Sequence, residues 1–406
     1  MTGAHDCFSQ KDMITVLYIH NEDFVTGGST KSLENLLHSV RDRVQPIVLV
    51  RAEGAVSEYF RSRGYECIVV PFRRSTYRGG ALSRALRYLP HLVTTTRINS
   101  RCVTAVCAML KARGVKIVHS NSSVVDIGPE IAARLGAAHV WHLREYFDLG
   151  LKARPFRGFA RWRSLLEGSD AVIAISSALK THLGLDSAGN AYCLPDAVCE
   201  AADTCLVEEK SGYFVMCAGR WSPVKCPEVA IAALAASHLA EEGFRLMFVG
   251  GIDPSYEAEL HALAGRLGVD NALVFKGLCD SVKPYVSRAL AYLMCSEFEG
   301  LGRVTVEAMF YGCPVIARKS GGTLEIVRDR ENGFFFDTVG ECAALMREMS
   351  ENTPQDVVLR AQEDAVSSFS EEAFGKKLLE IYDSVLDGRG TPGETGTIVK
   401  DREAAF

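Results

Sequence analysis

The stretch Glu299-Gly300-Leu301-Gly302-Arg303-Val304-Thr305-Val306-Glu307, continued by Ala308-Met309-Phe310-Tyr311-Gly312-Cys313-Pro314-Val315-Ile316, decides how the rest of the chain is read. Two carboxylates stand eight positions apart. A Gly-x-Gly turn follows the first, a helical run carries the second, and Gly312 with Pro314 ends that helix and starts a buried strand. A structural core has little use for this combination. A loop that must approach a ligand, followed by a helix that presents its N-terminus to it, uses all of it. If 299–307 were wholly helical, the two α-carbons would lie about 12 Å apart. The acid pair of a glycosidase flanks one bond at about 5–10 Å. Gly300 and Gly302 instead place Glu299 on a loop and Glu307 in the helix. The pair then grips two ends of an extended ligand. Carboxylates accept hydrogen bonds from vicinal sugar hydroxyls. The amides around residues 303–305 and the Thr305 hydroxyl are expected to face a phosphate between them.

Outward from this segment, strands and helices alternate. Strands are expected at 13–20, 46–50, 67–71, 115–120, 138–142 and 171–176, with helical periodicity between them and a long helix over 80–113. The rhythm lapses around 195–212. It resumes with strands at 213–218, 245–249, 272–275, 291–295, 315–317 and 333–336, and with helices at 227–240, 255–267, 281–289 and from Thr323. This is an α/β chain with two doubly wound parallel sheets. The expected domains are 1–195 and 196–370, followed by an amphipathic helix over 371–388 and a disordered tail over 389–406 rich in Gly, Thr and charge. Two such domains create a cleft at the carboxyl ends of their strands.

Several residues fall at those strand ends. Gly219-Arg220-Trp221-Ser222-Pro223-Val224-Lys225 follows the strand at 213–218 and holds two cations five residues apart. A guanidinium fork and a mobile ammonium suit a diphosphate. Ser320-Gly321-Gly322-Thr323 opens a helix, either as a plain N-cap or as a source of amides for a phosphate. Gly27-Gly28 after the first strand allows close backbone approach. His142 ends a strand in Val140-Trp141-His142-Leu143-Arg144-Glu145, where a structural role and a functional one are equally open.

Composition narrows the class. The chain is 48% hydrophobic and 23% charged, as soluble globular proteins are, and no run of about 18 apolar residues exists. Asp6 and Asp12 before Met13 speak against a signal peptide. The thirteen cysteines are scattered and never spaced C-x-x-C, which reads as reduced thiols in a cytoplasmic protein. Charge is uneven: residues 1–195 hold 25 Lys/Arg against 16 Asp/Glu, and the remainder 20 against 34. Residues 73–116 carry Arg73, Arg74, Arg78, Arg84, Arg87, Arg97, Arg101, Lys111, Arg113 and Lys116 with no acid among them. A second basic cluster contains Lys152, Arg154, Arg157, Arg161 and Arg163. These are either solvated helix faces or a surface for anionic lipid headgroups or a pyrophosphate-linked acceptor. No nucleic-acid-binding signature is present. G-x-G-x-x-G after the first strand, the P-loop pattern, D-x-D and zinc spacings are all absent.

With these motifs in place, the chain resembles the retaining GT-B glycosyltransferases of family 4, the glycosyl transferases group 1. The resemblance rests on Gly27-Gly28, His142, Gly219-Arg220 with Lys225, and Glu299-x7-Glu307 continuing to Gly312-Cys313-Pro314-Val315-Ile316. Gly321-Gly322, Glu325-Ile326-Val327 and Asn332-Gly333 extend it. It implies two Rossmann-like domains facing across a cleft. The C-terminal domain would hold a nucleotide-diphosphate sugar and the N-terminal domain a glycan or lipid-linked acceptor, in cell-surface polysaccharide or glycolipid synthesis. Arg220 and Lys225 would bind the diphosphate, Glu307 the ribose, Glu299 the transferred sugar, and His142 the same sugar from the N-terminal domain. Gly27, Gly28, Gly219, Gly302, Arg303, Val304 and Thr305 would line the phosphates, and Gly277 with Leu278 the base. The final helix would pack back on the N-terminal domain. No metal or other cofactor is implied, nor nucleic acid. A cytoplasmic protein at the inner membrane face fits the basic N-terminal half. The alternatives are a nucleotide-sugar epimerase and a non-catalytic nucleotide-sugar-binding subunit. Two positions depart from the family pattern. The usual Pro-Asn-Gly-Val-Asp reads Pro195-Asp196-Ala197-Val198-Cys199, and the acid that often follows the histidine is Leu143.

Overall fold

The computed structural model describes residues 13–390 apart from 26–27, 79–80, 147, 150–152 and 298. Gly27, Lys152 and the expected tail beyond residue 390 lie outside the described residues. The N-terminal half runs β1 (Ile14–Ile19), α1 (Gly28–Ser39), β2 (Val44–Val50), α2 (Ala55–Ser62), β3 (Glu66–Val69), β4 (Thr76–Arg78), α3 (Ala81–Leu110), β5 (Ile117–Ser120), α4 (Gly128–Leu135), β6 (Ala138–Leu143), β7 (Ala153–Pro155), α5 (Gly158–Glu167), β8 (Ala171–Ala174), α6 (Ser177–His182) and β9 (Ala191–Cys193). Seven strands form one parallel sheet in the order β3-β2-β1-β5-β6-β8-β9. Its central strands are near-continuous apolar runs because helices cover both faces: every residue of β5, β6 and β8 is buried. Helix α4 starts with a proline in its first turn and stops at Gly136, whose φ of 68° is left-handed. Strands β4 and β7 form a separate antiparallel ribbon, with Thr76 opposite Pro155 and Arg78 opposite Ala153. The arginines around β4 mask it in the sequence.

The C-terminal half continues with β10 (Tyr213–Arg220), α7 (Pro227–Ser237), β11 (Arg245–Gly251), α8 (Pro254–Leu267), β12 (Leu273–Gly277), α9 (Lys283–Val286), β13 (Tyr292–Met294), α10 (Arg303–Phe310), β14 (Val315–Arg318), β15 (Phe334–Phe336), α11 (Val339–Glu351), α12 (Gln355–Phe369) and α13 (Glu371–Gly390). Its six strands are parallel in the order β12-β11-β10-β13-β14-β15, the 3-2-1-4-5-6 order of a dinucleotide-type fold. Helices α11 and α12 are additions that periodicity did not single out. The helix expected over 281–289 is only the short α9. The segment from Thr323 is a 3-10 turn, Gly321–Glu325.

The chain passes between the domains twice, and the crossings are bonded side by side. Val198 N donates to Phe369 O at 2.9 Å, and Glu371 N donates to Cys199 O at 2.9 Å. After the second crossing, α13 lies on the N-terminal domain against α1. Phe374, Leu378 and Tyr382 are at most 1% exposed within that domain's core. Gly375 permits the approach, since a Cβ there would stand 2.3 Å from the Ser39 carbonyl oxygen.

Candidate active site

Both sheets reverse strand order beside their first strand, between β1 and β5 and between β10 and β13. Loops from both reversals, or from strands beside them, line one cleft of about 750 Å³. Phe24, Gly28 and Ser29 follow β1 on one wall, while Gly219 and Arg220 end β10 on the other.

On the C-terminal wall, β10 and β11 shift register between Cys217 and Arg220. Gly250, with φ of 135°, makes this possible: a Cβ there would sit 1.8 Å from the Ala218 carbonyl oxygen. The displaced strand end carries Arg220 to the cleft, and the turn Pro223–Lys225 carries Lys225. Lys225 Nζ lies 2.5 Å from Glu299 Oε1, so cation and carboxylate converge on the same space. The Glu299 loop is braced from behind. Gly322 N donates to Glu299 O at 2.9 Å, and a Cβ on Gly322 would fall 2.5 Å from Gly300 O. The Gly321-Gly322 pair therefore shapes the loop at 299–301. The Gly322 amide is spent there and is not free for a phosphate.

Gly302, at φ 85°, turns the chain into α10. Arg303 and Val304 line the cleft at the first two helical positions, where amides have no partner within the helix. Thr305 does not join them: its amide donates to Gly302 O at 2.9 Å and its side chain is fully buried. Glu307 lies one turn further on and is not among the residues lining the cleft. Burial pushes its carboxyl above the usual range, while Arg303 and Lys31 pull it down. Arg303 Nη2 is 3.9 Å from Glu307 Oε1. The same guanidinium reaches the other domain and the junction, with Nη1 donating to Ser32 Oγ at 3.0 Å and to Ala197 O at 2.7 Å. Leu278 lines the cleft and is 60% exposed, whereas Gly277, at φ 68°, only turns the chain towards it.

On the N-terminal wall the structure moves the emphasis. His142 is fully buried behind the cleft, with its ring stacked at 11° on Phe374. Its Nδ1 lies 3.3 Å from His119 Nε2 and 3.2 Å from Arg144 Nη2. Burial, then Arg144, holds His142 and His119 well below the ordinary histidine pKa, and His20 is pushed down to about 3 by the same causes. These are neutral rings supporting Arg144, the side chain that reaches the cleft. Arg144 Nε donates to Asn121 Oδ1 at 2.9 Å, and Nη1 pairs with Asp196, itself 3% exposed. Glu145 lines the cleft beside it, accepting from Ser122 Oγ and Ser123 N, each at 3.0 Å. Arg144 and Glu145 are not among the residues that the sequence marks as sites. Their position just past β6 was the available signal. Asp196 occupies the departure at the domain junction, and its role is to neutralise Arg144.

Of the expected site residues, Gly28, Gly219, Arg220, Lys225, Leu278, Glu299, Gly302, Arg303 and Val304 come together in the cleft. His142, Gly277, Thr305 and Glu307 stand behind its surface. Among the described residues, one group could hold a metal by proximity: His38, Glu200 and Glu371, at the domain crossing and away from the cleft.

Two doubly wound domains sharing a cleft at their switch points define the GT-B class. Residues 205–364 match the family model described as glycosyl transferases group 1. A D-inositol 3-phosphate glycosyltransferase of Acidothermus cellulolyticus is 35% identical over 135 residues, 31% of this chain and 30% of that protein. The putative glycosyltransferase EpsD of Bacillus subtilis is 31% identical over 159 residues, 38% of this chain and 41% of that protein. The matched stretch thus spans less than half the length of these curated relatives. Likeness of fold covers far more. HepE of Anabaena, solved with UDP, superposes with a TM-score of 0.75 at 21% identity, over 91% of this chain and all of that one. Sucrose-phosphate synthase of Thermosynechococcus elongatus gives 0.68 at 17% identity, over 92% of this chain and all of that one.

Proposed function

We propose that this protein is a retaining glycosyltransferase that moves a sugar from a nucleotide-diphosphate sugar to a glycan or lipid-linked acceptor in cell-surface polysaccharide or glycolipid synthesis. The observation that carries the reading is the meeting of Arg220 and Lys225 with the N-terminus of α10 in one cleft. Cations and free helix amides together suit a diphosphate. Lys225 also touches Glu299, a carboxylate in the same site that suits the hydroxyls of the sugar. The solved relative HepE binds UDP in this fold, and the curated relatives include glycosyltransferases, which supports a nucleotide-sugar donor.

In the reaction, an acceptor hydroxyl bonds to the anomeric carbon on the face from which the diphosphate oxygen leaves. The hydroxyl proton passes to that departing oxygen, and configuration is kept. Arg220, Lys225 and the α10 amides stabilise the charge that develops on the leaving group, so fixed protein charges do the work often given to a metal. Glu299 positions the sugar hydroxyls. Glu307 takes the ribose hydroxyls. Residues 1–195 take the acceptor, and the basic half of the protein brings it to anionic membrane from the cytoplasmic side.

Thermal-shift titration with UDP-, GDP-, ADP- and TDP-sugars tests the donor reading, because a bound donor raises apparent stability. One of the four is expected to stabilise the parent, and that shift should shrink in Arg220→Ala, Lys225→Ala and Glu307→Ala. Transfer to acceptor at the parent rate by all three variants would show the site assignment to be wrong.

A further inference from the structure

A second cavity, of about 360 Å³, opens in the N-terminal domain and is lined by Arg51, Arg73, Arg74, Arg78 and His91, with Thr76 and Ala153. None of these residues lines the first cleft. Its volume is at the lower end of small-ligand sites, about 300–1,000 Å³. Four guanidiniums around one space repel each other. Arg51 shows it: its pKa is lowered first by burial and then by Arg74.

The acids nearby answer only half of this charge. Arg51 Nε donates to Asp23 Oδ1 at 2.7 Å, and Arg74 Nη2 lies 3.1 Å from Glu22 Oε1. Among the described residues, Arg73 and Arg78 have no ion-pair partner, and Arg74 Nε is buried without a hydrogen-bond acceptor. The backbone around these arginines is nonetheless pinned. Asn99 Oδ1 accepts from Arg73 N at 2.8 Å, its Nδ2 donates to Arg73 O at 3.1 Å, and Arg78 is paired with Ala153 in the β4–β7 ribbon. A fold that spends a buried asparagine and a two-stranded ribbon on holding unpaired arginines together has prepared a site for a multivalent anion. A phosphoryl group, with several acceptor oxygens, engages more than one guanidinium fork, whereas a single carboxylate is satisfied by one.

Residues 22–24 run from one cavity to the other. Phe24 lines the cleft, while its neighbours Glu22 and Asp23 pair with Arg74 and Arg51 of the basic cavity. We propose that the Arg51–Arg73–Arg74–Arg78 cavity binds a phosphoryl or diphosphate group on the acceptor, so that the acceptor's reacting hydroxyl reaches the cleft past Phe24. The inference rests on the donor reading of the cleft. The group could be borne by a soluble sugar phosphate or by a lipid-linked headgroup, since the recognised chemistry is the same.

Calorimetric titration of inorganic pyrophosphate into the full chain tests it, with UDP saturating the cleft so that the donor's diphosphate site is filled. The parent is expected to bind pyrophosphate. Arg73→Ala/Arg78→Ala, altered only at exposed side chains, is expected to bind it about tenfold or more weakly while keeping parental UDP affinity and melting temperature. Unchanged pyrophosphate affinity in that variant, or no binding by the parent once UDP is present, overturns the proposal. If UDP does not bind at all, the donor reading fails separately. Pyrophosphate binding that survives Arg220→Ala but is lost in Arg73→Ala/Arg78→Ala would still support the basic cavity. Co-sedimentation with phosphatidylglycerol vesicles assigns the source. Vesicle binding that pyrophosphate displaces marks a lipid-borne headgroup, and pyrophosphate binding without vesicle binding marks a soluble phosphate.

Discussion

Lys225 Nζ lies 2.5 Å from Glu299 Oε1, joining the turn after β10 to the loop before α10 across the floor of the cleft. Their side chains are 32% and 14% exposed, so water screens the pair only in part. A donor diphosphate entering beside Lys225 competes with Glu299 for the ammonium. Lys225→Ala removes a charged donor and leaves Glu299 facing the anion uncompensated. Donor affinity is expected to fall about tenfold to a hundredfold, the range for one charge-assisted hydrogen bond. Glu299→Gln frees the ammonium, and UDP itself is expected to bind at least as well as to the parent while sugar transfer drops. Parallel UDP titration and transfer assays separate the two effects.

The glycines behind the site are predicted to be intolerant. Gly322→Ala would place Cβ 2.5 Å from Gly300 O, and Gly250→Ala would place it 1.8 Å from Ala218 O at a φ of 135°. Both neighbours are backbone atoms that cannot rotate away. Each variant is expected to lose about 1–3 kcal/mol of stability, measured by denaturant unfolding, and to lose donor-induced stabilisation as well. Gly265→Ala, inside α8 where nothing lies within 4 Å, is the control and should be at least as stable as the parent.

Arg144 and Asp196 are buried partners, with side chains 4% and 5% exposed. Removing one alone strands the other's charge. Asp196→Ala is expected to cost about 3–5 kcal/mol, and Arg144→Gln/Asp196→Asn together less than the two single changes summed. A double-mutant cycle by equilibrium unfolding measures this coupling.

His20, His119 and His142 are held neutral by burial, with folded pKa values below the unfolded value of about 6.5. Below that value the unfolded chain binds protons that the folded chain refuses. Their contribution to stability is complete above about pH 6.5 and is lost as pH falls from there towards the folded values, which is about 3 for His20. The slope is at most about 1.4 kcal/mol per pH unit for each ring. Carboxylates titrate at the lower end of this window, so the comparison is between parent and His20→Gln. The variant is expected to show a shallower decline between about pH 6.5 and 4.5.

Tyr382 ties α13 to this cluster, its hydroxyl lying 2.7 Å from His119 Nδ1 and 3.1 Å from Tyr18 Oη. Tyr382→Phe leaves His119 without that partner and is expected to cost about 1–3 kcal/mol on thermal or denaturant unfolding.

The α/β alternation was legible because parallel strands buried on both faces are continuous apolar runs: all residues of β6 and β8 are buried, and both stand out as such. Helix α10 was legible from Gly302 and from the stop at Gly312 and Pro314. Strand β4 was not, because its pairing with β7 is made across a long separation and its three residues sit among arginines. Gly321-Gly322 read as a helix start because Ser-Gly-Gly-Thr is ambiguous locally. Contact with the backbone at 299–301 decides in favour of a 3-10 turn.

By itself the sequence determined which side chains were candidates for the cleft, because residue type and local turn chemistry are one-dimensional properties. Glu299, Gly302, Arg220 and Lys225 could be named from their neighbours alone. Which of them share a surface depended on the packing of two sheets. Depth within a fold is a sum over residues distant in the chain: Phe374 on α13 closes over His142, Arg303 reaches Ser32 and Ala197, and Asp196 draws Arg144 into the wall. Tertiary structure therefore put Arg144 and Glu145, and not His142, on the N-terminal wall of the cleft, and gathered four arginines from two segments around one cavity.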